Sequence, residues 1–178
     1  MKKTVLIVFV ILIGLAVGYY FGYDHGWERA VDNPTEESRI QDTGQEIEKI
    51  DYHASFLIFT NGIKRSFTAA MYHNLSEDVY IETANPAIVH VTRPKTTWGD
   101  FFETLPMQVT YQCFVTGSGE KFCNIDSKTL KFFINGQKID GFLDEEIRDD
   151  DWILISYGKD DEKEIAKQLD QASKILSK

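Results

Sequence analysis

The chain has 178 residues, of which 13% are aromatic, and a net charge of −9. Because Lys2 and Lys3 are the only charged residues before Asp24, the chain from Asp24 onward carries −11. This acidity argues against a nucleic-acid-binding protein and against adhesion to anionic lipid, and the aromatic content argues against disorder.

The N-terminal segment is an unbroken apolar run, Thr4–Phe21, preceded by two lysines. About 20 helical residues at ~1.5 Å each span the hydrocarbon core of a bilayer, and flanking lysines stay on the cytoplasmic side. We therefore predict a single-pass anchor in the cytoplasmic or plasma membrane, with the N-terminus inside and the domain outside. The predicted organisation is a transmembrane and juxtamembrane helix over 1–31, a polar linker over 32–50 and an extracytoplasmic domain over 51–178.

A cleaved signal peptide is the alternative interpretation of this run, since Ala16 and Gly18 have the spacing of a signal-peptidase site. The length of the run favours the anchor. So do Tyr19, Tyr20 and Tyr23, because amphipathic aromatic side chains collect at the membrane–water interface.

Glycines recur at every fourth position in the second half of the run and directly after it, at Gly14, Gly18 and Gly22. This spacing places them on one ridge of a helix, where a second helix can approach closely. The pattern predicts a protein partner or self-association through the membrane helix. Glycines that are simply frequent in membrane helices are the alternative.

The remaining sequence predicts an α+β domain of short strands. Asn61-Gly62 and Asn135-Gly136 each lie between apolar runs and predict type I′ hairpin turns, the first with a return strand over Ile63–Phe67. The other predicted strands are Ala54–Thr60, Val79–Glu82, Ile88–Thr92, Val109–Val115, Lys121–Cys123, Leu130–Ile134 and Asp151–Tyr157.

Two helices are predicted within the domain. The first begins at an N-cap on Thr96 or Thr97 and ends at Pro106, with aromatic residues at helical spacing between them. The second runs from about Asp161 to Leu176, and its apolar stripe predicts that it packs on the domain.

The two cysteines, Cys113 and Cys123, flank the turn sequence Gly117-Ser118-Gly119. An even number of cysteines outside the cytoplasm indicates a disulfide, here one that joins the two strands of a hairpin. Two buried free thiols are the alternative.

Three segments carry a resemblance to known proteins: Thr96–Phe102, Phe132–Gly136 and Ile147–Gly158. They resemble the β-grasp domains of exported proteins, namely the soluble-ligand-binding group and the C-terminal module of transcobalamin-like proteins. The resemblance implies a β-grasp-like mixed sheet with one packed helix, followed here by a C-terminal helix.

His53–Phe56 and Val89–Thr92 are similar to segments of uncharacterised, membrane-anchored extracytoplasmic proteins of archaea and poorly cultured bacteria. Thr92 stands where that group has a second histidine.

Candidate ligands for copper or zinc are the three histidines of the domain, His53, His73 and His90. His53 and His90 would converge if the strands that carry them are neighbours. Separate surface histidines are the alternative, since no His-x-His or His-Glu-x-x-His motif is present. The acidic clusters lack the residue order of a calcium loop and predict solvated loops. Asn74 begins a glycosylation sequon.

No motif indicates a catalytic nucleophile paired with a base, so we expect a protein that is not an enzyme and needs no cofactor. The leading hypothesis is a membrane-anchored extracytoplasmic domain that binds a protein partner or a small ligand, as an accessory protein of a membrane complex. The alternative hypothesis is an extracytoplasmic copper- or zinc-binding protein that uses its histidines.

Overall fold

A computed structural model describes residues 49–159 and 161–176. The predicted membrane anchor, its glycine ridge at Gly14, Gly18 and Gly22, and the linker up to residue 48 lie outside these residues. Within the described ranges, no helix combines the length and apolar character needed to cross a membrane.

The described residues form an α+β domain with ten strands, two α-helices and a 3-10 turn at Ala70–Tyr72. The helices are α1 (Trp98–Thr104) and α2 (Glu162–Ser173). The strands are β1 (Tyr52–Thr60), β2 (Ile63–Lys64), β3 (Val79–Ile81), β4 (Ile88–Val91), β5 (Gln108–Val109), β6 (Cys113–Val115), β7 (Lys121–Cys123), β8 (Thr129–Ile134), β9 (Gln137–Ile139) and β10 (Trp152–Gly158).

The main sheet has the strand order β3-β4-β1-β10-β8-β9, and β2 pairs with the end of β1. Its two central strands, β1 and β10, run parallel, with Phe56 opposite Ile153 and Ile58 opposite Ile155. The other pairs in this sheet are antiparallel. A second sheet of three short strands has the order β5-β6-β7.

Both faces of the central strands are covered. Alternate residues of a strand point to opposite faces, so neighbouring residues pack in different cores. Phe56 and Ile58 of β1 lie in the larger core with the aromatic residues of α1, whereas Leu57 and Phe59 pack with α2. This two-sided burial explains why β1 and β10 are continuous apolar runs and do not alternate with polar residues.

Both Asn-Gly turns are confirmed. Asn61 and Gly62 have φ values of 52° and 79°, and Asn135 and Gly136 have φ values of 48° and 83°. A type I′ turn needs positive φ at both central residues, which asparagine and glycine tolerate best.

Thr97 is the N-cap of α1. Its hydroxyl accepts a hydrogen bond from the Asp100 backbone N–H, and the Asp100 carboxylate accepts one from the Thr97 N–H. This capping box satisfies two of the N–H groups that a helix start leaves without partners. Within the helix, a Cβ at Gly99 would lie 2.8 Å from the Leu143 carbonyl oxygen, so only glycine allows this close packing.

The disulfide between Cys113 and Cys123 is confirmed, and the two residues are directly opposite each other in β6 and β7, with Cα atoms 4.0 Å apart. The prediction of one continuous strand over Val109–Val115 is wrong. The Thr110 hydroxyl accepts a hydrogen bond from the Cys113 N–H at 2.9 Å, and the Thr110 N–H donates to the Cys113 carbonyl. This local turn divides the segment into β5 and β6.

The return strand expected over Ile63–Phe67 is shorter in the structure and ends at Lys64. The Arg65 backbone N–H still donates to the Ile58 carbonyl at 2.8 Å, while its side chain reaches the second sheet. Its guanidinium group lies 4.6 Å from the centre of the Phe122 ring, and its Nη1 donates to Glu120 Oε2 at 3.0 Å.

Candidate metal centre

His53 and His90 lie side by side on two neighbouring strands. β1 and β4 are antiparallel, and their register places the two histidines opposite each other. Their rings are stacked, with centroids 4.6 Å apart and planes inclined by 21°. The structure therefore brings together two of the three histidines considered as ligands.

Asp51 is the third member of the group. It directly precedes β1, two residues before His53, and its side chain is 76% exposed. The His90 Nε2–H donates a hydrogen bond of 2.6 Å to Asp51 Oδ1. One ligand atom from each of Asp51, His53 and His90 lies within 4.8 Å of those from the other two.

A second layer of polar groups orients the His90 ring. Tyr80 on β3 is opposite His90 in the sheet, and its hydroxyl oxygen lies 2.7 Å from His90 Nδ1. Glu82 Oε1 lies 3.2 Å from the same nitrogen. A metal-bound histidine commonly donates its other ring N–H to such a group, which fixes both the tautomer and the ring orientation.

The backbone at His53 is held from the other side by the segment before β10. The His53 N–H donates to Asp149 Oδ1 at 2.8 Å, and the Asp150 N–H donates to the His53 carbonyl at 2.9 Å. These bonds tie the start of β1 to the parallel strand that follows, so the position of His53 is set by two segments distant in sequence.

His73 lies apart from this group. It follows the 3-10 turn, and its Nε2–H donates to the Phe67 carbonyl at 2.7 Å. The described residues that form the candidate cluster are Asp51, His53 and His90, and His73 is not among them. Tyr72, the residue before it, packs edge-on against the Phe67 ring.

No family model, curated protein or solved structure matches this chain. Function is therefore inferred from the geometry of the described residues.

The sequence contained a signal for Asp51 that a search for histidine motifs misses. Residues two apart in a strand point to the same side, so Asp51 and His53 form an Asp-x-His pair at strand spacing. Tyr80 and Glu82 of the second layer have the same spacing. Their relation to His90 depends on the pairing of β3 with β4, which no local pattern specifies.

Two imidazoles and one carboxylate are the ligand types of zinc sites that have three protein ligands and one open position. The ligand atoms of such a tetrahedral site lie about 3.3 Å apart. A separation of up to 4.8 Å therefore closes by small rotations of the side chains, of which that of Asp51 is largely exposed. Copper(II) also accepts imidazole and carboxylate ligands.

Asn74 of the glycosylation sequon is exposed and has a φ of 51°. Its side-chain amide donates to the Thr83 hydroxyl at 3.3 Å, and its backbone N–H donates to the Ile81 carbonyl at 3.1 Å. Asn74 thus closes the loop between the 3-10 turn and β3, and a glycan on it would replace the bond to Thr83.

Proposed function

We propose that this chain is a membrane-anchored extracytoplasmic protein whose domain binds zinc or copper(II) through Asp51, His53 and His90. The observation that carries the proposal is the cross-strand pair of histidines, with Asp51 completing a three-ligand group within 4.8 Å. His73, which the sequence grouped with them, is not a ligand in this proposal.

Binding would replace the hydrogen bond between His90 Nε2 and Asp51 with two bonds to the ion. Nε2 must then be free of a proton, and the proton of the neutral ring moves to Nδ1. There Tyr80 and Glu82 are placed to accept it, at 2.7 and 3.2 Å. The Tyr80 and Glu82 oxygens would then hold the imidazole with Nε2 turned toward the ion.

The strand order supports the proposal that the domain is of the β-grasp type. An antiparallel β4–β1 pair and an antiparallel β8–β9 pair flank a parallel β1–β10 centre, and α1 lies between β4 and β8 in the chain. The three segments that carry the resemblance become the start of α1, the end of β8 with its turn, and β10 with the loop before it.

The disulfide supports a location outside the cytoplasm. Disulfide bonds persist in oxidising compartments and are rare in a reducing cytosol. The bond between Cys113 and Cys123 therefore agrees with the predicted topology, in which the domain follows an N-terminal anchor with its lysines inside.

The test is metal binding by the full-length protein in mild detergent, measured by calorimetry or by competition with a chromophoric chelator. The parent protein should bind one zinc or copper ion per chain. His53→Ala, His90→Ala and Asp51→Ala should each lower the affinity by about 10-fold or more, because each removes one direct ligand.

His73→Ala is the matched control and should bind metal as the parent does, since His73 lies outside the group. A parent protein that binds neither ion would overturn the proposal. An equal loss of affinity in His73→Ala and His90→Ala would also overturn it, because binding would then not depend on this cluster.

A further inference from the structure

A second candidate site is a cavity of about 490 Å³ at the beginning of α2. It lies where the beginning of α2 meets the main sheet. Its walls are the β1–β2 turn, the end of β10, Lys128 and the first two turns of α2. The metal ligands Asp51, His53 and His90 do not line it.

Gln168 lies in the wall of this cavity and is the polar member of the buried stripe of α2. It is 1% exposed, and it follows Ile165 at the spacing that places both on the same helix face. Its Nε2 donates to Glu164 Oε1 at 3.3 Å. Its Oε1 has no hydrogen-bond partner, a condition shared by only one other buried side-chain atom of the described residues, Trp98 Nε1.

Exchanging the nitrogen and oxygen of the Gln168 amide does not improve its hydrogen bonding, because the oxygen would then face the Glu164 carboxylate. Nearby backbone acceptors already have donors: the Tyr157 carbonyl accepts from Asn61 N–H at 2.7 Å, and the Gly158 carbonyl accepts from Lys131 Nζ at 2.8 Å. The Gln168 oxygen is therefore a buried acceptor without a donor among the described residues, whereas buried polar groups in proteins are normally paired.

The second acceptor is the Glu164 carboxylate. It is half-buried and faces the β1–β2 turn, where a Cβ on Gly62 would lie 3.8 Å from its Oε1. An amide oxygen and a carboxylate together match a group that has several N–H donors and a positive charge. A primary ammonium group has three such donors and no acceptor.

The cavity also has a basic side. Lys128 and Lys159 line it together with Asp161, whose carboxylate caps α2; Lys128 is half-buried and Lys159 is exposed. Ile63 and Ile165 form apolar wall between the polar groups. A ligand that matches all of these features has an ammonium group at one end, an anionic group at the other and a short hydrocarbon link.

We infer that this cavity binds a small zwitterionic amine, with the ammonium group on Gln168 and Glu164 and the anionic group toward Lys128 and Lys159. This site is independent of the proposed metal centre. Its ligand class is that of amino acids and their short homologues.

Three probes of matched size test the assignment on the full-length protein in mild detergent: β-alanine, ethylamine and propionate. All three contain a two-carbon chain. β-Alanine carries both charges, ethylamine carries only the positive charge, and propionate carries only the negative charge. Calorimetry or ligand-observed NMR measures the affinities. We expect β-alanine to bind about 10-fold more tightly than ethylamine, because ethylamine lacks the carboxylate and its charged hydrogen bond. Propionate should bind weakest.

Gln168→Leu removes the acceptor and keeps the volume, and should weaken β-alanine binding by about 10-fold or more. Its melting temperature without ligand should equal or exceed that of the parent, because a buried unpaired polar atom is removed. Gln171→Leu, on the exposed side of the same helix, is the control and should leave binding unchanged.

Glu164→Gln keeps the shape of the side chain and removes its charge. It should lower the affinity for ethylamine more than the affinity for propionate. Equal binding of propionate and β-alanine, or of ethylamine and β-alanine, would overturn the inference. So would unchanged β-alanine affinity in a folded Gln168→Leu protein, or the absence of binding by all three probes.

Discussion

Acidic side chains in the segment before β10 act as acceptors for backbone N–H groups. Glu146 accepts from the Lys95 N–H at 3.1 Å, and Asp149 accepts from the His53 N–H at 2.8 Å. Asp151 is 9% exposed and accepts from the Arg148 N–H and from the Asn135 side-chain amide. The run of charges predicted solvated loops, and Glu146 and Asp149 are exposed; these carboxylates also hold the segment to the chain before α1, to β1 and to the β8–β9 turn.

Replacing Asp151 tests the energetic role of one such carboxylate. Asp151→Ala should lower the free energy of unfolding by about 2–3 kcal/mol, because two hydrogen bonds to a charged acceptor are lost and the Asn135 amide loses its partner. Urea denaturation measures the change. Asp144→Ala, at an exposed position of the same segment, should change stability by less than about 0.5 kcal/mol. Equal effects of the two substitutions would contradict this assignment.

The candidate metal ligands show the limit of prediction at the residue scale. The histidines could be recognised as candidate ligands from their residue type. Convergence of His53 and His90 was predicted only if their strands pair. Asp51 was not selected, because the search considered histidines alone and did not use the Asp-x-His spacing of Asp51 and His53. Its value as a ligand depends on the β1–β4 register, which brings His90 Nε2 to 2.6 Å from it.

Elements bounded by strong local signals form where the sequence placed them. The capping box at Thr97 and Asp100 starts α1, and Asp161 caps α2 by accepting from the backbone N–H groups of Lys163 and Glu164. The Asn-Gly turns need positive φ, so asparagine and glycine mark them before any contact is known. In contrast, β5 and β6 separate because Thr110 and Cys113 bond to each other, a competition that strand propensity does not reveal.

The disulfide joins two strands of the smaller, three-stranded sheet. Replacing both cysteines by serine should lower the free energy of unfolding by about 2–3 kcal/mol, because the cross-link closes a short loop in the unfolded chain. Thermal or urea denaturation measures the loss, and the parent protein under a reducing agent should show a similar change. An unchanged unfolding midpoint in the serine variant would show that the hairpin holds without the bond.

At the scale of the whole molecule, one sheet supports two candidate sites that do not overlap. The metal group lies where β1, β3 and β4 meet near the start of β1, and the cavity with Gln168 lies by the other end of β1, next to the β1–β2 turn. β1 is nine residues long, so the two sites are about 25–30 Å apart along it. Occupancy of one site can therefore be measured without direct interference from the other.

The proposed topology gives a prediction for the intact protein. In cells with a sealed membrane, protease added outside should degrade the domain, because the lysines at the N-terminus hold that end in the cytoplasm. Immunoblotting with a tag at the C-terminus measures the loss. A tagged cytoplasmic protein serves as the control and should survive. Protection of the domain until detergent is added would contradict the topology.

Local chemistry was enough to predict the α+β class, the regions where both helices begin, both hairpin turns and the disulfide, because each follows from a few neighbouring residues or from the pairing of two cysteines. The sequence also contained the predicted anchor, which lies outside the described residues. The order of the strands in the sheet could not be read from such local patterns. Parallel pairing of β1 with β10 joins residues almost a hundred positions apart, and antiparallel pairing of β1 with β4 brings His53 to His90. Such pairings depend on the burial of both sheet faces together, which no local segment encodes, and the candidate sites depend on them.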